Sequence, residues 1–165
     1  MHGAYRSMSG KAVGTGWFDH DAQSPSDKTW RGILHTVGQN NKLSPEKANK
    51  VLDGTSNTII IGEFTSRSKS DRSTFWAYTY GGYNSSSATA ESRILINDYD
   101  KCEDIGGVGG INTCKRGWGS QHFGVINFAF GDGSTRSLKI DIDMNVFVGL
   151  GTMAGGETLA NFTDF

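Results

Sequence analysis

Residues 118–142, WGSQHFGVINFAFGDGSTRSLKIDI, constrain the fold more than any other stretch. Ile126, Phe128 and Phe130 alternate with Val125, Asn127 and Ala129, the two-residue period of a half-buried strand. A second run follows with Arg136, Leu138, Ile140 and Ile142 on one face, and Gly131-Asp132-Gly133 lies between the two. Residues directly opposite in an antiparallel pair share a face. A two-residue Asp132-Gly133 loop would set Phe130 against Thr135 and Phe128 against Ser137. A three-residue loop sets Phe128 against Arg136 and Ile126 against Leu138, so the apolar rows coincide. The spacing therefore predicts a three-residue hairpin loop, with Gly133 in the left-handed position of a type I turn plus bulge.

The rest of the chain points to one α+β domain dominated by antiparallel sheet. Its 165 residues suffice for an ordinary core, and 23 glycines, about twice average usage, favour turns and long loops over long helices. Residues 58–64 (TIIIGEF) form a continuous apolar run suited to a central strand. Asp53, Thr55, Ser56 and Asn57 precede it with side chains that can bond the local backbone. Ser44-Pro45-Glu46 has the order of a helix start, with Ala48, Val51 and Leu52 on one face and Gly54 as the stop. A short helix of about two turns is expected there. A short edge strand is expected over 12–18, an exposed polar loop over 19–28, and strand or helix over 30–37. Residues 75–83 (FWAYTYGGY) read as a strand, 84–90 as a Ser-rich loop, and 98–114 as a glycine-rich acidic loop.

Charge and motif content exclude several functions. A net charge of −1 and a pI near 6.4 give no basic footprint for nucleic acid. No apolar stretch approaches the roughly 18 residues that span a bilayer. There is no nucleophile elbow, zinc-protease helix, Walker loop or dinucleotide fingerprint, so no enzymatic activity is expected. Cys102 and Cys114 fit no zinc pattern; a disulfide closing the intervening loop is expected, which would imply an oxidising, extracytoplasmic location. Asp98, Asp100, Glu103 and Asp104 place four carboxylates in one short stretch. Calcium takes oxygen ligands from flexible loops, so these four are the candidate metal ligands, with a solvated acidic loop as the plain alternative. Trp76, Tyr78, Tyr80 and Tyr83 suggest a sugar-stacking platform or strand packing. Asp19-His20-Asp21 carries metal-capable groups, but adjacent strand residues point to opposite faces.

Three ordered blocks carry a resemblance. His122, nine residues and then Asp132-Gly133 match the H-x(9)-D-G pattern of a large prepilin-type family of unknown function, abundant in planctomycete-type bacteria. The block Asp53-Gly54-Thr55-Ser56-Asn57-Thr58-Ile59-Ile60-Ile61-Gly62-Glu63 resembles that family's D-G-T-S-N-T-I-L-I-G-E block. Leu150-Gly151-Thr152-Met153-Ala154-Gly155-Gly156-Glu157 resembles its C-terminal L-G-T-x-A-G-G-E. The resemblance spans about residues 50–160. It implies a non-enzymatic exported subunit, the pseudopilin-like head of a type II secretion or pilus-like assembly. Its partners would be other subunits or further copies, and membrane contact would be made only through an N-terminal hydrophobic helix. That helix is not legible in this sequence, which is expected to be the globular part. Some related pseudopilin heads bind calcium, which keeps the acidic stretch in view. The pattern assigns no role to His122; a structural polar contact with a nearby carbonyl or with Asp132 is the expected one, with metal ligation and acid–base chemistry as the alternatives. The competing reading is an extracellular carbohydrate-binding module, with or without calcium.

Overall fold

A computed structural model describes residues 4–12, 28–37, 43–65, 68–77 and 81–157. The hairpin is as the sequence requires. Strand β4 is Val125–Phe130 and strand β5 is Thr135–Lys139, numbered by their place in the chain. Ile126 pairs with Leu138 and Phe128 with Arg136. Gly133 N–H donates to the Phe130 carbonyl and Phe130 N–H to that of Ser134, which closes the three-residue loop. Gly133 sits at φ +85°. Ile126, Phe128 and Phe130 are all buried, while Val125, Asn127 and Ala129 are half-exposed. Beyond Lys139 the strand ends, so Ile140 is exposed and does not extend the apolar row.

Three more strands complete the sheet: β1 (Tyr5–Lys11), β2 (Ile59–Glu63) and β3 (Ser85–Ala88). Their order is β3-β1-β2-β4-β5, with all neighbours antiparallel except the parallel pair β1 and β3. The apolar run at 59–63 is central, as expected. It carries a bulge, because Ile59 pairs with Phe130 while Ile61 pairs with Ala129. The extra residue resets the alternation, so Ile59 and Gly62 are both buried. Gly62 lies against Phe128, and a Cβ there would collide with the Phe128 ring and with Trp118.

The other two strands overturn expectations. Residues 5–11 form an interior strand where none was expected; of the edge strand expected over 12–18, residues 13–18 lie outside the described set. Residues 85–88 are strand and not loop. Serines replace apolar side chains in this pair. Ser7 and Ser85 hydroxyls meet at 2.8 Å and Ser9 and Ser87 at 3.0 Å, so buried hydroxyls satisfy each other across the strands.

Helix α4 (Met144–Leu150) covers the apolar face of the sheet, with Asp143 capping it through Asn145 N–H. Phe147 packs on Phe128 at 5.6 Å between centroids, and Trp118 meets the same ring edge-on at 5.3 Å. Met8, Ile59, Ile94, Leu138 and Leu150 join this core. Three other α-helices among the described residues lie around it: α1 (Gly81–Asn84), α2 (Tyr99–Ile105) and α3 (Ile111–Lys115).

Two further expectations fail. Residues 44–54 hold only a three-residue helical turn, Ala48–Lys50, with no side-chain cap. Ala48 is exposed and Leu52 is 75% exposed, so only Val51 of the expected apolar face is partly covered, and Glu46 is drawn away to Arg31 at 2.6 Å and His35 at 3.3 Å. The described residues of 75–83, namely 75–77 and 81–83, hold no strand either. Phe75 and Trp76 are exposed and a helical turn begins at Gly81; Tyr78 and Tyr80 lie outside the described residues, as do 19–27.

Candidate functional site

The three sequence blocks meet along β2 and the turn that leads into it. At the C-terminal end of β2 Glu63 uses both carboxylate oxygens. Oε2 accepts the Asn127 N–H at 2.8 Å, and Oε1 lies 3.4 Å from His122 Nε2. His122 is otherwise held by its own N–H, which donates to Ser120 Oγ. At the N-terminal end the hairpin loop is bound by backbone. Gly131 N–H donates to the Thr58 carbonyl and Asp132 N–H to that of Thr55. Asn57 Nδ2 donates to the Asp53 carbonyl, and Gly54, at φ +91°, opens the turn.

Asp53 reaches the third block. Its carboxylate accepts Gly155 N–H at 2.8 Å and Gly156 N–H at 3.0 Å, and Leu52 and Asp53 N–H both donate to the Met153 carbonyl. Glu157 Oε2 turns back to Thr152 Oγ1. Every block thus holds another, through contacts that run from 59 residues apart in sequence (Glu63 with His122) to 103 (Asp53 with Gly156).

His122 and Asp132 do not come together. The six residues of β4 separate them, about 20 Å of extended chain. His122 is partnered by Glu63 and its side chain is 58% exposed. Asp132 caps its own loop, accepting Ser134 N–H at 2.9 Å; the neighbouring Ser134 hydroxyl and this N–H together hold its pKa below the ordinary 3.8. A hydrogen-bonded role for His122 was expected, with a carbonyl or Asp132 as partner; the partner is Glu63.

A family model described as a protein of unknown function (DUF1559) matches residues 2–145. The chain belongs to that family. No curated protein and no solved structure matches it.

The four candidate calcium ligands are not in a loop. Asp98 is the N-cap of α2 and accepts Lys101 N–H at 3.1 Å; that bond, with one from Ser68, lowers its pKa. Asp100, Glu103 and Asp104 follow on the helix, all exposed. Among the described residues no group of three or more His, Cys, Asp or Glu converges on a point that could hold an ion. Of the aromatic platform, Trp76 is exposed, and Tyr83 is half-buried with Arg72 set 5.6 Å from its ring centroid.

Cys102 and Cys114 are joined, so the expected disulfide closes α2 against α3. Sequence reasoning missed two buried arginines that are held by several hydrogen bonds each. Arg6 is fully buried, stacked 3.5 Å over the centroid of Phe64 and bonded to the carbonyls of Arg72 and Lys115. Arg93 sits inside the disulfide-closed loop and binds the carbonyls of Cys102, Val108 and Gly110. Only the alternation of Arg6 with Met8 in YRSMSGK hinted that an arginine faced inward.

Proposed function

We propose that this protein is a non-enzymatic, exported structural subunit, the pseudopilin-like head of a type II secretion or pilus-like assembly. The observation that carries this reading is the mutual clamping of the three blocks. Their distinctive polar groups are taken up by internal contacts: Asp53 by Gly155 and Gly156, Glu63 by His122 and Asn127, Asp132 by Ser134. A family pattern made of such residues describes a scaffold that is to be held in shape. The Cys102–Cys114 bond supports an extracytoplasmic location, since such bonds persist where the surroundings are oxidising. The disulfide-closed tip also leaves Ile105, Val108 and Ile111 exposed, a surface that a neighbouring subunit would cover.

The test is made in the cell that encodes the protein. External protease on intact cells, or on cells with a permeabilised outer layer, should remove it, and cross-linking should join it to other subunits of a secretion or pilus-like machine. Protection in the cytoplasm, with both cysteines reduced, would refute the proposal.

A further inference from the structure

Arg93 does more than fill the loop between α2 and α3. Its Nε edge is fixed by Glu91 at 2.6 Å. Nη2 donates to the Val108 carbonyl at 2.9 Å, and Nη1 to those of Gly110 and Cys102 at 3.2 and 3.3 Å. The same Nη1 lies 3.3 Å from Sγ of Cys114. No arginine contact of this kind joins Sγ of Cys102 among the described residues. Neutral disulfide sulfur is a weak acceptor, so this contact contributes little while the bond is closed. It strengthens once that sulfur carries charge.

We propose that Arg93 makes Cys114 the leaving thiolate of the Cys102–Cys114 disulfide, so that the bond opens and closes through a mixed disulfide on Cys102. In opening, the thiolate of a small thiol or of a dithiol oxidoreductase attacks Sγ of Cys102. A new S–S bond forms there, the old one breaks, and its electron pair stays on Sγ of Cys114 facing the guanidinium. Closing is the reverse: the Cys114 thiolate attacks Sγ of Cys102 and expels the carrier's thiolate. Glu91 lies outside the disulfide-closed segment, so its 2.6 Å pair with Nε holds the guanidinium beside the tip when the S–S bond opens. Both cysteines are buried, Cys102 at 2% and Cys114 at 5% exposure, and the space they line with Phe64, Thr65, Tyr99 and Trp118 has room for about one water, so attack on Cys102 follows a local opening of that side of the α2–α3 tip.

Two measurements test this. In Cys102→Ser, the ultraviolet absorbance of the remaining thiolate gives the Cys114 titration. Its midpoint should lie roughly one pH unit or more below that of an ordinary thiol, return to the ordinary range in Cys102→Ser with Arg93→Gln, and stay low with Arg93→Lys. An ordinary midpoint, unmoved by Arg93→Gln, overturns the proposal. The second measurement needs no cysteine variant and decides the matter where Cys102→Ser does not fold. The whole protein is exposed to reduced glutathione, quenched in acid, alkylated and mapped by mass spectrometry. Glutathione on Cys102 supports the assignment; glutathione on Cys114, or equally on both, refutes it.

Discussion

Gly133 is the place where the hairpin register can be broken without touching anything else. Its φ is +85°, and a Cβ built on it would meet nothing within 4 Å. Replacement therefore introduces no collision with the surroundings, and the whole effect is conformational. An L-residue in the left-handed region costs about 1–2 kcal/mol, a β-branched one sits at the upper end, and Asn is tolerated best. Gly133→Asn should thus be nearly neutral. Gly133→Ala should destabilise by about 1 kcal/mol and Gly133→Val by about 2 kcal/mol or somewhat more. At roughly 2–4 °C per kcal/mol for a chain of this size, Val should lower the melting temperature by about 4–8 °C. Thermal unfolding of the three variants, followed by circular dichroism at neutral pH, gives the order. A valine variant as stable as the asparagine variant would mean that position 133 is not left-handed, and the three-residue loop would be wrong with it.

Three other perturbations follow from the same geometry. Gly62→Ala puts a methyl into the Phe128 ring and against Trp118, and should cost about 1–3 kcal/mol by urea unfolding, less in a Phe128→Leu background; equal costs in both would sever the link to that ring. Asp53→Ala removes the acceptor of two N–H groups and should destabilise by about 1–2 kcal/mol, with faster hydrogen exchange at Gly155 and Gly156; unchanged exchange there would refute the clamp. The carboxyls of Asp98 and Asp132 both titrate below the ordinary 3.8 in the folded protein. Their contribution is therefore complete above pH 3.8 and lost as pH falls below it through the folded values, so wild type should lose melting temperature over that window faster than Asp132→Asn. Parallel curves would remove Asp132 from the account.

What could be read from the sequence depended on whether apolar side chains marked the face. In β4 and β5 they did, and two candidate loops gave opposite matches of apolar rows, so the register was decidable. β1 and β3 were hidden because Ser7, Ser9, Ser85 and Ser87 seal their pairing with hydroxyls, and a serine run has no apolar period to detect. The acidic stretch misled in the other direction. Asp98, Asp100, Glu103 and Asp104 suggested a ligand loop, yet Asp98 bonds a backbone N–H three residues on, which is a helix start. The sequence pattern at Ser44-Pro45-Glu46 had the right order for a helix but no partner for Leu52, and two turns without packing do not persist. His122 and Asp132 share a motif, which invites a contact between them. The strand separating them forbids it, and the true partner, Glu63, is 59 residues upstream of His122.

The clamp also accounts for the spacing of His122 and Asp132 in this chain. β2 and β4 run antiparallel, with Ile59 beside Phe130 and Gly62 beside Phe128. The end of one strand therefore lies beside the start of the other. Glu63 closes one end by reaching His122 and Asn127, and Thr55 and Thr58 close the other by taking the N–H groups of Asp132 and Gly131. The nine residues between His122 and Asp132 are then the length of strand, plus lead-in and loop, needed to span from one closure to the other. Losing one of them would turn Ile126, Phe128 or Phe130 out of the core or pull one closure open. A catalytic pair has no use for a spacer that holds its members about 20 Å apart along an extended chain. A ruler between two fastenings requires it, and the bulge in β2 is what keeps Gly62 under the Phe128 ring while both fastenings stay in register.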